Sequence, residues 1–116
     1  MKSILLSICL FFTATTLSLS HSVVTNSNPE NGARLRVAPQ HLEVSFSKPT
    51  RVVKASLAHN EGDPVKLTLS TKEPTKIIQF SPAPVTAGDY VVEWRALSKD
   101  GHALKGSLEF SIADPN

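Results

Sequence analysis

Sulfur is nearly absent from this chain: 116 residues include one cysteine and one methionine. A single cysteine closes no internal disulfide, so no covalent staple holds the fold. Thiolate and thioether ligands are equally scarce, which turns the search for a metal site toward nitrogen and oxygen. Aromatic residues make up only 6%, too few for a broad surface that stacks sugars or bases. Neither sign of charge dominates. Twelve Lys and Arg face ten Asp and Glu, a formal net charge of +2. The electrostatic footprint of a nucleic-acid binder is missing, and no nucleic-acid partner is expected. No nucleophile triad, phosphate-binding loop or dinucleotide fingerprint is present. The length allows one domain and excludes a large multi-site enzyme. What the chain does have is apolar content: 41% hydrophobic residues and five glycines argue for a packed core rather than disorder.

The one long hydrophobic run is N-terminal. Lys2 precedes Ile4-Leu5-Leu6-Ser7-Ile8-Cys9-Leu10-Phe11-Phe12, and small residues stand at Ser18 and Ser20. A positive start, an apolar middle and small residues at the last and third-last positions make a secretory signal. The run is short for a membrane span, and a retained anchor is the weaker alternative. Residues 1–20 are read as a cleaved signal peptide and 21–116 as a soluble exported domain. Cleavage removes Met1 and Cys9 and leaves a domain without sulfur. A cut after Ser22 satisfies the same spacing rule and stays open.

The remainder reads as strands and turns. In His41-Leu42-Glu43-Val44-Ser45-Phe46 the apolar residues alternate with polar ones, so Leu42, Val44 and Phe46 face a core. The same period places Tyr90, Val92, Trp94 and Ala96 on one side of their strand, and Leu108, Phe110 and Ile112 on one side of theirs. Weaker strand patterns cover 23–25, 52–58, 65–69 and 76–80. Prolines at 29, 39, 49, 64, 74 and 82 punctuate these runs. Asn31-Gly32 and Ala87-Gly88-Asp89 are turn signals, and residues 60–63 read as a loop. Short strands at this spacing, with no sustained helical period, predict an all-β fold, an antiparallel β-sandwich. Trp94 falls on the core face, so a core role outweighs a substrate-stacking one.

Chemistry concentrates at two places. Cleavage after Ser20 makes His21 the first residue. There it offers a free α-amine and a ring nitrogen that close one chelate ring, the second donor being already held near the first. An internal histidine cannot do this, because its backbone nitrogen is an amide. The second place is Asp100-Gly101-His102, just beyond the Trp94 strand. An extended backbone there would project Asp100 and His102 to the same side. Asp-x-His alone is a weak signal; joined to a terminal histidine it becomes a nitrogen-rich set completed by oxygen. Such a set suits tetragonal Cu(II), with zinc and nickel open on ligand type alone. The amine binds metal only when unprotonated, and its reference pKa is about 7.7–8.0, so affinity should fall with pH. His41 lies on a polar strand face and His59 in a loop beside Asn60 and Glu61; both read as ordinary surface residues. Lys99 and Lys105 flank the site and read as solvated charges.

At these residues the sequence resembles the CopC family of copper-binding proteins. The resemblance rests on His21, on Asn28-Pro29-Glu30-Asn31-Gly32, on Leu42-Glu43-Val44-Ser45-Phe46-Ser47, and on Gly106-Ser107-Leu108-Glu109-Phe110. Its most specific part runs from Ala87-Gly88-Asp89-Tyr90 through Glu93-Trp94-Arg95 to Ser98-Lys99-Asp100-Gly101-His102. It implies an Ig-like Greek-key sandwich or barrel of about seven strands, and a periplasmic or secreted protein of copper trafficking, buffering or resistance. It also implies a single Cu(II) per chain held by His21, Asp100 and His102, with no catalytic activity. A copper-transporting inner-membrane protein is the partner it suggests. Some members add a glutamate at or beside the position of Lys48, and a charged lysine cannot replace an anionic ligand. Some carry a methionine-rich Cu(I) loop, which a mature chain without methionine cannot form. Two other readings remain: a metal-free Ig-like interaction module, and a copper-dependent oxidative enzyme.

Overall fold

The computed structural model describes residues 24–115. It contains seven strands and, among the described residues, no helix. The strands are β1 (Val24–Asn28), β2 (Ala33–Leu35), β3 (Leu42–His59), β4 (Val65–Leu69), β5 (Thr75–Ser81), β6 (Gly88–Leu97) and β7 (Ala103–Ile112). The 18-residue β3 organises the fold. Its first half pairs antiparallel with β1 and β5, and its second half with β6 and β4. One strand therefore serves both layers, and the sheet curls into a sandwich in the order β2-β7-β6-β3-β4-β5.

Period-two patterning places the core as expected. Leu42, Val44 and Phe46 of β3, Ile78 and Phe80 of β5, Tyr90, Val92, Trp94 and Ala96 of β6, and Leu108, Phe110 and Ile112 of β7 are all buried. Burying this much apolar surface is what stabilises a domain that has no disulfide. Thr50 is the buried polar exception, and its hydroxyl donates to the Lys48 carbonyl at 2.9 Å. Tyr90 keeps its ring in the core and donates its hydroxyl to the Thr86 carbonyl at 2.7 Å. No buried side-chain nitrogen or oxygen among the described residues lacks a partner.

Two features depart from the sequence reading. The runs at 41–46 and 52–58 are halves of one strand, and Pro49 does not separate them. The register against β5 moves from Ser45↔Ile77 to Thr50↔Thr75, so four residues of β3 stand opposite one of β5 there. A proline needs no ladder partner at such an irregularity. The second departure is β2, which pairs with β7 in parallel, Ala33 to Phe110 through Leu35 to Ile112. The Asn31-Gly32 turn anchors it: the Asn31 side chain accepts the Glu109 N–H at 2.9 Å, and the Gly32 N–H donates to the Glu109 carbonyl at 2.6 Å.

Candidate functional site

Strands β6 and β7 form a hairpin paired without interruption from Gly88↔Ile112 to Leu97↔Ala103. Residues 98–102 close it, and these include Asp100 and His102. The loop is a tight hydrogen-bonded turn. The Ser98 N–H donates to the His102 carbonyl and the Gly101 N–H to the Ser98 carbonyl, both at 2.9 Å. The His102 N–H donates to the Ser98 hydroxyl at 3.1 Å. The extended geometry expected for Asp100-Gly101-His102 is therefore not the geometry found. Asp100 and His102 lie in a turn at the hairpin tip and not on one face of an extended strand. Gly101 makes the turn possible, with φ at +81°.

Both Asp100 and His102 are exposed at the tip. Among the described residues, no group of three or more His, Cys, Asp or Glu side chains is placed to hold a metal. These two supply one carboxylate and one imidazole, an incomplete set by themselves. His21 lies outside the described residues, as do residues 1–20, which the sequence analysis reads as a signal peptide. Val24, the first described residue, pairs with Phe46. It shares a small cavity with Ala96 and Leu104, the residues that stand two before Ser98 and two after His102. The start of β1 and the 98–102 loop thus occupy the same end of the sandwich.

The other histidines lie elsewhere. His41 is exposed just ahead of β3. His59 ends β3 opposite Tyr90, near the start of β6. From there to the hairpin loop is seven residues of strand, roughly 20 Å. The His59 ring stacks on Tyr90, centroids 4.5 Å apart and planes 6° from parallel, and its Nε2–H donates to the Ala87 carbonyl at 2.9 Å. His59 is exposed, as the sequence suggests, but it ends β3 instead of lying in the loop, and its ring ties that strand end to the turn before β6. Lys48 is exposed in the irregular stretch of β3. Ser98 enters the sequence reading only as part of the resemblance, with no role of its own. Its signal is a serine just ahead of an Asp-Gly turn, where a hydroxyl commonly binds local backbone.

Gly101 supports a simple prediction. A Cβ there would meet nothing within 4 Å, so Gly101→Ala carries only the cost of holding a left-handed conformation. Unfolding in urea should show a loss of about 1–2 kcal/mol. No loss would mean that the loop relaxes to another turn.

Residues 24–113 match the family model described as the CopC domain. Copper resistance protein C of Pseudomonas syringae pv. tomato is 32% identical over 106 residues, covering 83% of each chain. Copper transport protein CutJ of Bacillus subtilis is 28% identical over 100 residues, covering 82% of this chain and 18% of that one. Among solved structures, CopC from Methylosinus trichosporium OB3b superposes with a TM-score of 0.64 at 24% identity, over 79% of this chain and 93% of the other. PcoC, a methionine-rich copper resistance protein from Escherichia coli, gives 0.63 at 25% identity, over 81% and 100%.

Proposed function

This chain belongs to the CopC family, and from that premise we propose that it is an exported copper-binding protein. It holds one Cu(II) outside the cytoplasm, in the periplasm, and serves copper buffering, resistance or delivery rather than catalysis. The ligands are the amine and ring of His21, the carboxylate of Asp100 and the ring of His102. The observation that carries this reading is the shared end of the sandwich: Val24 borders the same cavity as Ala96 and Leu104, at the base of the Asp100–His102 loop. Three extended residues span roughly 10 Å, enough for a histidine at position 21 to reach that loop from Val24.

The chemistry follows from the donors. Two imidazoles, an amine and a carboxylate are the hard and borderline ligands that Cu(II) prefers in a tetragonal plane, and none suits Cu(I) well. Binding releases protons, so acid loosens the ion, and reduction loosens it too. Lys48 offers no anionic ligand, which leaves water to complete the coordination. A copper-transporting membrane protein is the natural recipient. In support, the likeness to a named copper transport protein covers only 18% of that protein, so a domain of this kind occurs there within a much longer chain.

Titration of the exported protein with Cu(II) tests the assignment. We expect one ion per chain, a tetragonal nitrogen-rich spectrum, and affinity that falls as the pH is lowered. His102→Ala should weaken binding by about tenfold or more. Binding that survives His21→Ala and His102→Ala unchanged would sink the assignment.

A further inference from the structure

We propose that the outer face of the β4–β3–β6–β7 sheet is a docking surface for an acidic segment of a partner protein. The register lays three cations side by side across three strands: Lys54 pairs with Arg95, and Arg95 with Lys105. The next rung on the same face is Ser56–Glu93–Ser107, with Lys66 opposite Ser56. All four cations and Glu93 are exposed, and they line one shallow depression.

Neighbouring strands are about 4.8 Å apart, and like charges directly opposite one another destabilise a sheet. None of Lys54, Arg95 and Lys105 makes an ion pair or side-chain hydrogen bond among the described residues. Four cations against one carboxylate leave the lining of this depression with a net positive charge. Carboxylates from outside would compensate it. A guanidinium takes a carboxylate through two parallel hydrogen bonds, and the flanking lysines add point charges on either side.

The shape favours a narrow polypeptide over a bilayer. The cations line a depression, which a narrow chain can enter more closely than a flat anionic surface can. A narrow acidic segment can lie along the cationic rung and avoid Glu93. Val53, 46% exposed, lines the same depression and offers an apolar contact. The rung is also close to the hairpin tip. Arg95 and Lys105 lie just short of Leu97↔Ala103, the last pair before the 98–102 loop. A partner seated here would reach the loop, yet docking itself needs no copper, so it stands or falls apart from the copper reading.

The test uses metal-free protein and a fluorescein-labelled peptide of alternating Glu and Ser, followed by anisotropy at low and then rising salt. The expected result is saturable binding that weakens with salt and falls about tenfold or more in the Lys54→Ser/Arg95→Ser/Lys105→Ser variant. An Arg36→Ser/Lys72→Ser/Lys76→Ser variant removes equal charge elsewhere and should bind nearly as the parent does. Equal losses in the two variants, or none in the first, overturns the proposal. If the triple variant fails to fold, Arg95→Ser alone is compared with Lys76→Ser. Sedimentation with phosphatidylglycerol vesicles is the second arm: rung-dependent vesicle binding without peptide binding overturns the proposal and assigns the face to lipid.

Discussion

One extra residue ahead of His21 is expected to lower Cu(II) affinity by about a hundredfold or more while leaving the domain folded. The added residue converts the terminal amine into an amide and leaves the imidazole in place. The chelate ring opens, and copper must then be held by separate single donors. The fold has no reason to respond. Among the described residues the first ladder pair is Val24↔Phe46, and the Val24 side chain is 40% exposed. Thermal unfolding of the extended and native proteins should therefore coincide, and that coincidence separates lost chemistry from lost structure. The result also reports on processing. If export leaves Val23 as the first residue, the extension changes nothing. Mass spectrometry of the exported N-terminus then identifies the cut after Ser22, and the terminal-histidine ligand set is withdrawn. The pH dependence runs the same way: protons compete for the unprotonated amine, so the native protein loses copper on acidification. The extended variant lacks that amine and should depend on pH less steeply.

Legibility in the sequence followed physical regularity. β6 and β7 alternate without a break, and their buried sets, Tyr90 to Ala96 and Leu108 to Ile112, are as the period predicts. The second half of β3 was weaker because the register against β6 shifts between Val52 and Lys54, and one extra residue inverts the alternation. β2 was invisible because three residues carry too little pattern to register, and its parallel partner β7 is far away in sequence. His59 could not be interpreted without knowing that Tyr90 lies opposite it. For the candidate site, Asp100 and His102 were found by residue type, and the Asp-Gly pair announced a turn. The hydrogen bonds that shape that turn run through Ser98, whose part depends on the strand pairing that brings position 102 back to it. What no local pattern conveys is that β1 starts at the same end of the sandwich as this loop. Only the two-layer path of β3 brings Val24 beside Ala96 and Leu104.

That same end of the sandwich depends on a residue that does no metal chemistry. Gly106 lies directly across from Trp94, and the indole folds over it. A Cβ at position 106 would meet the indole Cε2, Cζ2 and Nε1 far inside van der Waals contact. The ring cannot move inward, because it already packs on Phe80 with centroids 6.1 Å apart and is only 6% exposed. Gly106→Ala must therefore push the indole out of its seat or spread β6 from β7. Overpacking of this kind costs about 2–3 kcal/mol. That is a large share of the roughly 5–15 kcal/mol that holds a small domain together. The urea midpoint should fall with little change in slope. Combining Gly106→Ala with Trp94→Leu gives the decisive comparison. If the two residues interlock, the glycine substitution costs much less once the indole is gone, and the double-mutant cycle shows coupling. Costs that simply add would place the strain in the backbone of β7, and the packing explanation would fail.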